Sequence, residues 1–346
     1  MARDRIELID VARGLAALGV SWSHIVMKNP RVVVDDGAQL GLHYSAVHAD
    51  LGVFAFYIVS GFVIPLALLR GQYRIGMFWR FMAKRLTRLQ PPYYLSIALV
   101  IAVAYLATRA PGYSGIAFAV DPAQIALHIA YLPTVFGYEW INPVYWSLLV
   151  EVEYYIAVGL AMPLLMRLRG KALAALLMGL CLIPLVLNDF HHLPFHLPYF
   201  VVGLALCLRL DARLSAIEAG AVILFAVVAL AFQQSPACAI VAVATLPFFI
   251  GGRRAPALLR GLGAISYSLY LVHYPVGWRA VRLLERFAHN DVERIAAYLG
   301  ALAISIAVAI VFYYVIEKPS LRWAARIKLT GIRRPTVDVP AAIPAP

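Results

Sequence analysis

Among the polar residues that interrupt the apolar run IELIDVARGLAALGVSWSHIV, three stand out for chemistry: Asp10, Arg13 and His24. A histidine can take and return a proton near neutral pH, and an arginine offers a fixed positive fork to phosphate. Arg13 and His24 are eleven positions apart. On a helix that is about 1100°, three turns plus about 20°, so both side chains project from one face about 16 Å apart along the axis. That distance is comparable to the pantetheine arm of a coenzyme A thioester. An arginine at the inner mouth could hold the phosphate-rich head while a histidine deeper in meets the thioester. Arg13 snorkelling to the interface and His24 as a hydrogen-bonded interfacial residue are equally consistent with the spacing. Asp10 stands three residues before Arg13 and can pair with it on the same face.

Other groups add to this set. In FWRFMAKRLTRLQPPYY, Arg85 and Arg88 are three apart on a helix that Pro91 and Pro92 should break. Two guanidiniums on one face make a phosphate-binding fork, and also an ordinary basic cluster beside a membrane. In VYWSLLVEVEYY, Glu151 and Glu153 point about 200° apart on a helix, so one of them faces the bundle interior. Trp146, Glu151 and Tyr155 could form one wall; a structural anchor for neighbouring helices fits equally. The loop NDFHHLPFH holds His191, His192 and His196, but Pro194 interrupts the spacing a metal pair would use, so no metal is expected. His273, with Tyr267, Tyr270 and Tyr274, fits an aromatic interfacial belt and leaves a functional role open. His43 and His48, beside Asp50, could line an acceptor entrance.

The elements that must carry these residues are membrane helices. The chain is 62% hydrophobic and 14% charged with a net charge of +12, which excludes disorder, a coiled coil and a conventional soluble globule. The basic excess sits in short gaps between apolar runs, so it points to a membrane and not to nucleic acid. Spanning needs roughly 20 apolar residues. Ten candidate transmembrane helices run at 8–27, 48–69, 91–108, 144–166, 172–188, 196–210, 214–232, 236–251, 262–279 and 295–316. The segment 121–136 is too short and should form a partial or re-entrant helix. With both termini cytoplasmic, twenty-two basic residues fall inside and seven outside, as the positive-inside rule requires. The fold class is therefore an all-α polytopic membrane protein. Residues 1–330 form one membrane-embedded domain, and the Pro/Ala-rich residues 331–346 are expected to be a disordered cytoplasmic tail. No cleavable signal peptide is expected, and Cys181, Cys207 and Cys238, all inside apolar runs, are not expected to form disulfides or a metal site. Arginine-rich, lysine-poor, alanine-rich composition fits a high-GC bacterial gene, and with the apolar spans the expected location is a bacterial inner (cytoplasmic) membrane.

In order along about 6–323, these segments resemble the acyltransferase-3 family of integral membrane O-acyltransferases. LIDVARGLAALGVSWSHI looks like the opening helix, with Arg13 and His24 as its Arg and His. GVFAFYIVSGFVI looks like the second helix, with Ser60, Gly61 and Phe62 as its Ser-Gly-Phe motif. FMAKRLTRLQPPYY is similar to the paired-arginine motif, at Arg85 and Arg88. WSLLVEVEYY resembles the Trp-Ser-Leu motif with its downstream glutamate, here Trp146, Ser147, Leu148 and Glu151. Many relatives carry two adjacent glutamates there; here Val152 takes the second place and Glu153 follows. ISYSLYLVHYPV and EKPSLRW look like the closing signatures.

The resemblance implies transfer of an acyl group, usually acetyl, from cytoplasmic acyl-CoA to a hydroxyl of an extracytoplasmic or membrane-linked carbohydrate. It implies catalysis by His24 with Glu151, donor binding by Arg13, Arg85 and Arg88, and acceptor contacts from Trp146, Ser147 and Ser60. Acetyl-CoA enters as a substrate, with no permanently bound cofactor. The partners are acyl-CoA, a carbohydrate or lipid-linked glycan and membrane lipids; nucleic acid is not among them, and a homo-oligomer stays open. The rival expectation is a proton-coupled sugar or lipid transporter, which would move its substrate unmodified.

Overall fold

The computed structural model describes residues 2–27, 37–109, 119, 121–250 and 255–329, and among them every regular element is helical. The tail expected at 331–346 lies outside the described residues, as do Lys28, Arg31, Arg253, Arg254, Arg333 and Arg334, which helped to orient the chain. The first half runs α1 Ala2–Met27, α2 Gly37–Ala46, α3 Gly52–Arg70, α4 Phe78–Thr108, α5 Pro122–Ile129 and α6 Trp146–Leu165. It continues with α7 Gly170–Leu180, α8 Leu193–Leu210, α9 Ala216–Gln233, α10 Pro236–Thr245 and α11 Pro247–Ile250. The last part is α12 Ala257–Ala264, α13 Ser266–Leu284, α14 Asp291–Phe312 and α15 Lys318–Arg326. Several starts follow from local chemistry. Ser215 and Glu218 close a reciprocal capping box on α9, Asn290 caps α14, and Ser235 before Pro236 starts α10.

Among the described residues six helices are long and apolar enough to cross a membrane, within His43–Arg70, Ile75–Thr108, Trp146–Leu165, Leu193–Leu210, Ala216–Gln233 and Asp291–Arg326. Their outward faces carry large apolar side chains such as Leu106, Leu160, Leu224, Phe232 and Val311, as contact with hydrocarbon requires. The other four expected spans are helical but differ in kind. α1 and α13 have the length and carry the polar residues. The seventh and tenth helices are short: α7 ends in a 3-10 turn at Ile183–Leu185 that contains Pro184, and Pro247 divides α10 from α11.

Pro91 and Pro92 do not break their helix: α4 runs through both. Two lost amide donors are tolerated where neighbouring helices can serve the freed backbone, and the Tyr267 hydroxyl donates to the Leu89 carbonyl at 2.9 Å, next to that site. The paired arginines consequently sit within a continuous rod and not at its end. The partial helix expected at 121–136 is α5 followed by a 3-10 turn at Thr134–Phe136. The Tyr93 and Tyr94 hydroxyls of α4 donate to the carbonyls of His128 and Ile129, latching its last turn.

Two close approaches set the frame. A Cβ on Gly61 would collide with the Phe200 carbonyl, and one on Gly203 with the Ile58 carbonyl. α3 and α8 therefore touch backbone to backbone, as small residues allow between membrane helices. This pins the turn that carries Ser60. Likewise, a Cβ on Gly263 would run into the Asp10 carbonyl, so α1 lies tightly across α12 at Arg13. One core spans α1, α3, α4, α6, α8, α9 and α13. A smaller cluster of Ile25, Val26, Val281, Tyr298 and Ala301 joins the end of α1 to α13 and α14.

Candidate functional site

A cavity of about 490 Å³ opens between α1, α3, α4, α6 and α13. Arg13, Arg70, Arg85 and Arg88 line it against only two carboxylates, Asp10 and Glu151. Arg13 Nη1 lies 3.6 Å from Asp10 Oδ1, the pairing expected from their spacing. Arg85 is 8% exposed, with its guanidinium 5.7 Å from the ring centres of both Phe81 and Tyr155. Its Nε has no hydrogen-bond partner. Aromatic faces attract a cation but accept few of its five donors. A buried guanidinium left in this state is costly unless an anion completes it.

The opposite wall comes from α3, α6 and α13. Glu151 accepts from the Tyr155 hydroxyl at 2.5 Å and from Ser60 Oγ at 3.3 Å. The Glu151–Tyr155 half of the expected wall is therefore present, and the carboxylate is anchored on α3 and α6. Ser147 Oγ and the Tyr270 hydroxyl lie 2.6 Å apart, and Tyr270 also donates to the Val144 carbonyl. Trp146 is outside the cavity lining and packs on Phe190 and His196, with ring centres 4.5 and 5.5 Å away.

His24 is half-buried and faces the bundle. Its Nδ1 lies 2.8 Å from Nε2 of the fully buried His273, with Tyr274 edge-on to its ring at 5.7 Å. The cavity lining does not include His24. It reaches Tyr270, whose ring centre is 5.8 Å from that of His273. One aromatic layer thus separates the arginine-lined space from the histidine pair.

The structure brings Arg13, Arg85, Arg88, Ser60, Ser147 and Glu151 to one cavity, from four helices. It adds Arg70, Tyr155, Tyr267 and Tyr270. The spacing of Tyr267, Tyr270 and His273, three residues apart each time, places them on one helical face and was visible in the sequence. Glu317 was not. It is buried at a π-helical turn, Tyr313–Glu317, and accepts from the backbone N–H and hydroxyl of Ser268 at 3.1 and 2.6 Å. A carboxylate there satisfies an orphan donor in the first turn of α13 and suits the positive end of its dipole.

The histidines of the loop before α8 do not converge. His192 Nδ1 donates to Glu153 Oε1 at 2.6 Å, while Glu153 Oε2 accepts from the Leu193 N–H at 2.6 Å and so caps α8. His196 Nε2 donates to the Phe190 carbonyl. In the same loop the backbone N–H of His191 holds the Asp189 carboxyl below its ordinary value. Among the described residues no group of three metal-ligating side chains is assembled.

No curated protein and no solved structure matches the chain. The family model described as an acyltransferase domain matches residues 6–314, nearly the whole helical body and every cavity-lining residue except Leu321 on α15. With membrane-length helices enclosing an arginine-lined space, the chain belongs to the acyltransferase-3 family of membrane acyltransferases.

Proposed function

We propose that the protein moves an acyl group, acetyl in the simplest case, from cytoplasmic acyl-CoA to a hydroxyl of a carbohydrate outside the membrane or linked to it. The observation that carries this reading is Arg85: a buried cation with an unpartnered Nε, in a cavity where arginines outnumber carboxylates. An anion of several phosphates completes such a site. The donor head would lie against Arg13, Arg85 and Arg88, with its arm along α1 toward His24, past Tyr270. His24 then takes the acceptor proton as its oxygen attacks the thioester. Ser60 and Ser147 supply hydroxyls along the way, and Glu151 fixes Ser60 and Tyr155. Ten crossings with both termini in the cytoplasm, in a bacterial inner membrane, set the donor and acceptor on opposite sides.

Membranes containing the protein, given acetyl-CoA labelled in the acetyl group, are expected to place label in carbohydrate. His24→Ala is expected to insert normally and to lower transfer by 100-fold or more, on the order of the contribution of a positioned base. Carbohydrate that stays unlabelled with the wild-type protein, or full transfer by His24→Ala, overturns the reading. A transporter would leave the label in acetyl-CoA.

A further inference from the structure

His273 belongs to a different helix from His24 and lies 249 positions away, yet the two imidazoles meet at 2.8 Å. Which nitrogen carries each proton follows from a third group. His273 Nδ1 lies 3.0 Å from the Leu269 carbonyl oxygen one turn earlier in α13. A carbonyl only accepts, so His273 Nδ1 carries the proton and donates. In the neutral ring, Nε2 of His273 is then the lone-pair nitrogen. It faces Nδ1 of His24, which must donate to it. The neutral His24 ring consequently holds its proton on Nδ1 and its lone pair on Nε2.

We propose that His273 is a positioning residue: it fixes His24 as the Nδ1–H tautomer, so that Nε2 is the nitrogen that accepts the proton of the acceptor hydroxyl. The assignment rests on the acyl-transfer reading for its consequence, but not for its geometry. The arrangement has the logic of an orienting group behind a catalytic imidazole, with a backbone-locked histidine in place of a carboxylate. In the step itself the hydroxyl proton passes to His24 Nε2, the oxygen bonds to the thioester carbon, and the C–S bond breaks. The proton then goes to the sulfur, so an alcohol and a thioester become an ester and a thiol. As His24 gains charge, its Nδ1–H bond to His273 strengthens. The fold protects this contact. A Cβ on Gly277, one turn beyond His273, would meet Ile25 Cγ1 at 2.9 Å and Ser305 Oγ at 2.8 Å, so only glycine lets the His24 end of α1 seat against α13.

Two measurements on the full chain in detergent test this. Side-chain ¹H–¹⁵N spectra of histidine-labelled protein are expected to show Nδ1 protonation for both His24 and His273. Nε2 protonation of either neutral ring overturns the assignment. In transfer assays with labelled acetyl-CoA, His273→Leu is expected to lower kcat roughly 10- to 100-fold with the donor KM within about twofold. His273→Gln, whose amide oxygen can accept from His24 Nδ1–H, should recover most of the rate. Equal losses in the two variants, or a loss confined to donor KM, mark His273 as mere packing and sink the proposal. Should His273→Leu fail to insert, the spectra and His273→Gln decide the matter. If the wild-type chain shows both Nδ1 tautomers but transfers no label, the tautomer assignment stands and the acyl-transfer reading falls.

Discussion

The arginine-lined cavity and the histidine loop before α8 both gather titratable side chains, and they differ in how those groups are satisfied. In the loop each of these titratable groups closes on a partner nearby: His192 on Glu153, Glu153 on the Leu193 N–H, Asp189 on the His191 N–H. The one orphan there is His196 Nδ1, a neutral lone pair stacked among aromatic rings. In the cavity the Tyr57 hydroxyl and Arg85 Nε are both orphans, and the second belongs to a cation, with further arginines facing the same space. An unmade bond to a neutral acceptor costs far less than an uncompensated buried charge. Clustering alone therefore does not mark a site. Incomplete charge pairing does, because folding tolerates it only where something else completes it.

The largest effect should come from deleting that charge. Arg85→Ala is expected to raise the donor KM about 10- to 100-fold, equivalent to roughly 1.5–3 kcal/mol for a hydrogen bond to a charged group. It should leave thermal stability without ligand unchanged or higher, since it removes a desolvated guanidinium. Steady-state kinetics with varied acetyl-CoA and a melting curve of the apo protein check both halves. A variant that melts early and keeps its donor affinity would turn Arg85 into a structural residue and erase the contrast between the two regions.

Much of this contrast could be read before any coordinates. The turn arithmetic that puts Arg13 and His24 on one face holds because α1 is one unbroken helix from Ala2 to Met27. The pairing of Arg13 with Asp10 and of Glu151 with Tyr155 follows from intrahelical spacing in the same way. What spacing could not supply was any pairing between distant helices. Nothing near His24 announces His273, nothing near Glu153 announces the start of α8, and Glu317 finds Ser268 only through packing. The break expected at Pro91 failed for the same reason. Proline's local cost is real, but here α4 persists where a hydroxyl from α13 serves the adjacent backbone. Trp146 stands first in its motif, yet it packs on Phe190 at the loop, while Ser147, one residue on and about 100° around α6, lines the cavity.

The next effect belongs to the loop. Glu153→Ala leaves the Leu193 N–H and His192 without their acceptor, and a cap of this kind is worth about 1–2 kcal/mol. The variant is expected to melt several degrees lower while its donor KM stays within about twofold of the wild type. This is the mirror image of Arg85→Ala. A raised donor KM with normal melting would move Glu153 into the donor site and show that the two regions are one.

The smallest effect sharpens the comparison through pH. Asp189 is mostly solvent-exposed, and its carboxyl lies below the ordinary value of 3.8 chiefly because the His191 N–H bonds the charged form. A depressed folded value means the contribution is present above the ordinary value and is lost as pH falls through the folded one. Asp189→Asn should therefore cost well under about 1 kcal/mol at neutral pH, since solvent screens an exposed carboxylate. The difference from the wild type should fade once acid has protonated Asp189 in both folded and unfolded chains. Melting both proteins at neutral pH and again well below the ordinary carboxylate range reads the sign directly. A gap that widens in acid would mean that the protonated form is the one the loop holds, and that this region stores an unmet charge as the cavity does.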